Sequence, residues 1–111
     1  MAQVFEELAG LDKVIHEPAR LAILTALSAC VSADFTFLQH LTGLTQGNLS
    51  GHLAKLEEAG LVKLEKTFVD RRPNTMVSLT GPGKTAIEHH WQQLEQLRKS
   101  AQAWNAKDNP E

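Results

Sequence analysis

Apolar residues recur along this chain with two periods, and the change between them divides it into elements. Val4, Leu8, Leu11 and Ile15 are spaced as one face of a helix, with Gly10 tolerated inside it. Pro18 interrupts that run and suits the first turn of a second helix, where its missing N–H costs nothing. The segment from Arg20 to Leu27 is apolar on most faces and reads as the buried centre of the domain. After the polar break Ser32-Ala33-Asp34, the residues Phe37, Leu38 and Leu41 form the stripe of a third helix, capped by Asp34 and ended by Gly43. Leu49, Leu53 and Leu56 form the stripe of a fourth, with Thr45 as its N-cap and Gly60 as its stop.

The period then falls to two. Across residues 61–69, Val62, Leu64 and Phe68 alternate with Lys63, Glu65 and Thr67, the pattern of a half-buried strand. Asp70-Arg71-Arg72-Pro73-Asn74 is turn-forming, and residues 75–79 make a second short strand. Helical spacing returns after Thr80-Gly81-Pro82-Gly83-Lys84, where Thr80 is the expected N-cap. Ile87, Trp91, Leu94, Leu97, Ala101 and Trp104 then repeat over about five turns, longer than one small domain needs for its own core. A helix-turn-helix followed by a hairpin predicts a winged helix-turn-helix, mainly α with a small β-hairpin and with extended terminal helices for dimerisation. Residues 1–105 form the one domain, with the helix-turn-helix at about 35–59, the wing at about 61–79 and the C-terminal helix at about 80–105; 106–111 are a polar tail.

Composition agrees with that reading and narrows it. A chain of 111 residues, 42% of them hydrophobic, leaves room for one domain with a real core. Aromatics are 5%, with no Tyr, so the core is built from Leu, Val, Ile and Ala, which favours helices. The single cysteine, Cys30, excludes an intramolecular disulfide and a cysteine-cluster zinc site. It follows an apolar stretch and is expected to be a small buried thiol, in keeping with a reducing, cytoplasmic setting. Residues 1–7 lack the basic region and apolar run of a secretory signal. The longest stretch without formal charge, Phe35 to Ala54, is 20 residues, long enough to test as a membrane span. It fails, because it contains Gln39, His40, Gln46, Asn48, Ser50 and His52 with three glycines.

A net charge of −2 argues at first against nucleic acid, but the charge is unevenly divided. From Phe35 to Lys84 the six basic residues Lys55, Lys63, Lys66, Arg71, Arg72 and Lys84 face the four acids Glu57, Glu58, Glu65 and Asp70, a net of +2 that leaves −4 for the rest. The helix-turn-helix and wing are the positive part of an acidic protein, as attraction to phosphate requires. At 100° per residue the fourth helix turns Gly47, Asn48, Ser50, Gly51, Ala54 and Lys55 outward, with no Asp or Glu expected among them. Gln46 and Asn48 carry amides able to address adenine edges, Ser50 is a further DNA contact, and Thr45 caps the helix near a phosphate. Lys55 reaches for phosphate, and Thr36 and Gln39 are placed to add backbone contacts. Arg71 and Arg72, with always-charged planar guanidinium groups, suit phosphate gripping or minor-groove insertion from the wing. Of Lys63 and Lys66, on opposite faces of a strand, at most one serves DNA, and His52 reads as a packed boundary residue.

The run Asn48-Leu49-Ser50-Gly51-His52-Leu53-Ala54-Lys55-Leu56-Glu57-Glu58-Ala59-Gly60-Leu61-Val62 resembles the recognition helix and first wing strand of ArsR-type and MarR-type regulators. From about Leu11 to Leu97 the chain is similar to the small stand-alone winged-helix regulators of bacteria and archaea. In these, Pro18-Ala19-Arg20-Leu21-Ala22-Ile23-Leu24 opens the second helix, Phe68-Val69-Asp70-Arg71-Arg72-Pro73-Asn74-Thr75 forms the wing and Leu79-Thr80-x-x-Gly83 starts the last helix. The resemblance implies a homodimeric transcriptional regulator, a repressor on a pseudo-palindromic operator in double-stranded DNA, with two recognition helices reaching successive major grooves. Trp91, Leu94, Leu97 and Trp104 are more apolar surface than a terminal helix buries on a small domain, so they are expected to pack with Leu8 and Leu11 of the N-terminal helix across a two-fold axis as the dimer interface.

Three rivals are weaker. A metal-responsive ArsR-type sensor lacks its cysteine pair here, and the adjacent His89 and His90 splay by about 100° on a helix, so neither metal nor other cofactor is expected. An enzyme is not expected either: Gly81-Pro82-Gly83-Lys84-Thr85 lacks the first glycine and four-residue spacer of a phosphate loop. A winged helix used only for protein assembly predicts a neutral or apolar outer face, which Lys55, Arg71 and Arg72 oppose. The operator, the regulated genes and any small-molecule effector leave no signature in the chain.

Overall fold

The computed structural model describes residues 12–108, with side chains described to Trp104. Helices α1 (Pro18–Ser28), α2 (Phe35–Thr42), α3 (Gln46–Glu58) and α4 (Gly81–Asp108) are joined with strands β1 (Ala33–Asp34), β2 (Val62–Val69) and β3 (Arg72–Leu79). The expected N-terminal helix, with Val4, Leu8 and Leu11, lies outside the described residues; of its stripe only Ile15 is seen, and it is buried.

The helices begin and end where local chemistry dictates. The Glu17 carboxylate accepts from Arg20 N–H at 2.9 Å, with Pro18 opening α1. Asp34 Oδ1 accepts from Phe37 N–H at 2.7 Å to start α2, and Gly43, at φ +71°, ends it in the left-handed conformation. Thr45 Oγ1 accepts from Asn48 N–H at 3.2 Å to start α3. Ile23, Leu24 and Leu27 of α1 form the centre of the core with Leu38, the α3 stripe Leu49, Leu53 and Leu56, Val77 of β3 and Ile87 of α4.

Four local expectations are corrected. Cys30 is exposed rather than buried, because α1 stops at Ser28 and the thiol lies past the helix end, donating to Ala26 O at 3.2 Å. Of the α2 stripe only Leu38 is buried, and Phe37 and Leu41 share an exposed flank of a two-turn helix. The polar break before α2 contains a third strand, β1, whose Ala33 and Asp34 pair with Val77 and Met76 in an antiparallel sheet of order β1-β3-β2. The wing is also longer than expected. β3 starts at Arg72, and the register from Val62↔Leu79 to Val69↔Arg72 leaves the two-residue loop Asp70-Arg71, at φ +52° and +65°. Positive φ at both positions marks a type I′ turn, whose twist matches the strands it joins.

Pro73 therefore lies inside a strand, opposite Phe68. With Val69↔Arg72 as the hydrogen-bonded pair next to the turn, Phe68↔Pro73 is the alternate, non-bonded pair, and the missing N–H removes nothing from the ladder. Beyond Leu64 the hairpin has left the core, so Phe68 is 75% exposed although it shares the face of Val62 and Leu64.

The last helix also leaves the domain. Its 28 residues measure about 42 Å. The Cα radius of gyration is 17.4 Å, against about 13 Å for a compact chain of this length.

Candidate nucleic-acid interface

α2, the turn Gly43-Leu44-Thr45 and α3 form the helix-turn-helix. Three fully buried leucines anchor α3 and fix its opposite face to the outside, where Gln46, Gly47, Asn48, Ser50, Gly51, Ala54 and Lys55 are all exposed. The first turn of α3 carries no acidic residue, and its cap, Thr45, is exposed beside Gln46. A Cβ placed on Gly47 or Gly51 would meet nothing within 4 Å, so the domain's own packing does not require either glycine.

One expectation about this face is corrected. Glu58 lies seven residues after Gly51 and eleven after Gly47, on the same side of the helix, and is exposed. It sits at the C-terminal end of α3, about 18 Å along the axis from Gln46, so the acid-free surface is the N-terminal part of the helix.

His52 is the boundary residue that its position predicts, with its side chain 23% exposed. Its Nδ1 lies 3.2 Å from Arg20 Nη1 and 3.6 Å from Glu17 Oε2. The Arg20 N–H that donates to Glu17 is the main cause holding that carboxyl below the usual carboxylate range; burial opposes it, and the Arg20 charge adds to the lowering. The only sign of this role for Arg20 in the sequence is a guanidinium in an otherwise uncharged helix.

The wing places Arg71 at the tip of the turn and Arg72 on the first rung of β3, both exposed. Lys63 stands 3.6 Å from Glu65 on one face of β2. Lys66 is exposed on the other face, with no ion pair among the described residues.

On α4, Ile87 and His90 face the domain and are buried, while Leu94 and Leu97 are half-buried and Trp104 is 55% exposed. The inward position of the first turns belongs to His90 rather than Trp91, which is 43% exposed. Ile87, His90, Leu94, Leu97, Ala101 and Trp104 follow alternate spacings of three and four, a single seam that starts under the domain and runs past its end. His89 is exposed while His90 is buried, so the pair diverges as a helix requires. Among the described residues no group of three or more metal-ligating side chains converges, and no helix is long and apolar enough to cross a membrane.

Residues 19–98 match the family model of the winged helix DNA-binding domain. An uncharacterized protein of Methanocaldococcus jannaschii is 33% identical over 88 residues, which cover 79% of this chain and 96% of that protein. The structure of a transcriptional regulator homologue from Pyrococcus horikoshii OT3 superposes with a TM-score of 0.79 at 31% identity, over 91% of this chain and 98% of that one. The transcriptional repressor CouR, solved bound to a 23-mer DNA duplex, shares the fold with a TM-score of 0.72 at 23% identity, over 98% of this chain and 78% of its own. With α3 presented by the helix-turn-helix and the β2–β3 hairpin as the wing, the chain belongs to the winged helix DNA-binding domain family and has the fold of its transcriptional regulators.

Proposed function

We propose that the chain is a cytoplasmic homodimeric repressor without chemistry of its own, which occupies a pseudo-palindromic operator and excludes polymerase from an overlapping promoter. The N-terminal part of α3 enters the major groove, where Gln46, Asn48 and Ser50 address base edges, and Lys55, Arg71 and Arg72 hold phosphates. The observation that carries this reading is the outer surface of α3. Gly47 and Gly51 have open space in front of them and no packing reason to lack a Cβ. Gly51, in the helix interior, costs about 0.5–1 kcal/mol relative to Ala, which close approach of a nucleic acid offsets.

Dimerisation is supported by α4, whose half-exposed seam of Leu94, Leu97 and Trp104 has too little of its own domain to cover it. A second copy packed on that seam relates two α3 helices by a two-fold axis, and half-sites then fall about one helical turn of DNA apart.

Two measurements test the proposal. Sedimentation at micromolar concentration is expected to give a dimer that Leu97→Glu dissociates; a wild-type monomer contradicts it. Selection of bound genomic fragments at fixed salt is expected to enrich an inverted repeat, whereas no enrichment would favour a protein-assembly role.

A further inference from the structure

The His52 imidazole is tied to α1 in a way that defines where its proton sits. Arg20 Nε donates to Val14 O at 2.6 Å, Nη2 donates to Lys13 O at 3.4 Å, and Nη1 lies 3.2 Å from His52 Nδ1. A guanidinium has five N–H donors and no acceptor, so the lone pair in that last contact belongs to Nδ1. The alternative, a proton on Nδ1 directed at Glu17, is disfavoured by distance. Glu17 Oε2 is 3.6 Å away, beyond hydrogen-bond reach, and already accepts from Arg20 N–H. A neutral imidazole that accepts at Nδ1 carries its proton on Nε2.

That proton has no partner within the described residues, and Nε2 is not among their buried unpaired atoms. His52 follows Asn48 by four residues and precedes Lys55 by three, so the three share one flank of α3 beside the open Gly47–Gly51 surface.

We propose that His52 is a DNA-contacting residue. Its Nε2–H donates to a backbone phosphate oxygen at the edge of the groove that α3 enters, and Arg20 is the positioning residue that fixes the tautomer and the ring. The proposal rests on the reading of α3 as the DNA-facing helix. Arg20 itself is committed to Lys13, Val14 and His52. A ring whose Nδ1 accepts from Arg20 brings no charge of its own, so the contact adds affinity without adding to the salt dependence, unlike Lys55 and the wing arginines.

The tautomer is tested in the DNA-free full chain by long-range ¹⁵N–¹H correlation of the histidine rings at about pH 7.5. Wild-type His52 is expected to show a protonated Nε2 and a bare Nδ1, and Arg20→Gln to show a mixture of the two tautomers. A protonated Nδ1 in the wild type overturns the assignment.

The contact is tested by duplex binding. His52→Asn keeps an acceptor near Nδ1 but removes the Nε2 donor, whereas His52→Gln sets an amide N–H near the Nε2 position. Expected are about a tenfold loss for His52→Asn with an unchanged salt slope, and most of the affinity retained by His52→Gln. If the wild type binds duplex with a slope that Lys55→Ala reduces, yet His52→Asn binds as tightly, the His52 contact falls and the α3 reading stands. If the wild type binds no duplex, both fall.

Discussion

The Thr80 hydroxyl donates to the Gly60 carbonyl at 2.6 Å and accepts from Gly83 N–H at 2.9 Å, so one side chain joins the end of α3 to the start of α4. Thr80 N–H also donates to Leu61 O at 3.1 Å. Through these bonds α3, both ends of the wing and the long C-terminal helix share one junction.

Substitution at this junction is expected to be costly. Thr80→Val removes the cap and the Gly60 bond and lowers stability by about 1–2 kcal/mol. Gly83→Ala costs more, about 3 kcal/mol, because its Cβ would meet the backbone carbonyl of Leu61 at a distance that no real contact allows. Urea unfolding measures both; equal midpoints for Gly83→Ala and the wild type would contradict the packing described.

The glycines of α3 are expected to behave in the opposite way. Gly51→Ala raises stability by about 0.5–1 kcal/mol, and Gly47→Ala, in the first turn, by less, since the added methyl meets nothing and the helix gains propensity. The same variants are expected to weaken duplex binding. Tighter folding with unchanged affinity would show that nothing approaches this surface closely.

At the wing, Arg71 holds φ at +65° in a turn that favours glycine there. Arg71→Gly is expected to stabilise the fold by about 1 kcal/mol while weakening binding to all duplexes. Arg72→Ala relieves no such strain, so it is expected to weaken binding without raising the melting temperature. A thermal melt beside a binding titration separates the two effects.

His90 gives the fold a pH dependence. Burial is the main cause holding its ring below the ordinary imidazole range; His16, whose ring centroid is 5.4 Å away, and His89 add to this, and Asp12 opposes it. The folded value is lowered, so the unfolded chain binds more protons between that value and about 6.5. Stability is complete above about pH 6.5 and declines as pH falls through the window. Compared at pH 7.5 and 5.5 by urea unfolding, His90→Leu is expected to lose less stability than the wild type. An identical loss in both would exclude His90 as the source.

Much of the fold was legible because its signals are local. Asp34, Thr45 and Thr80 cap helices by reaching three residues ahead, and Leu49, Leu53 and Leu56 declare the face of α3 by spacing alone. The outward residues of α3 followed from that stripe. What escaped depends on distant partners: β1 is two residues long and exists by pairing with β3, more than forty residues later. Pro73 reads as a turn residue until the register shows it on a rung that needs no N–H. The contact of Arg20 with His52 spans 32 residues, and neither side chain announces the other.

The central claim, that α3 and the wing meet DNA, is tested most directly by the salt dependence of duplex affinity for the wild type and for Arg71→Ala/Arg72→Ala. The wild type is expected to lose affinity steeply as salt rises, and the double variant to show a slope shallower by about 0.9 for each phosphate contact removed. An identical slope in the two proteins would contradict the account.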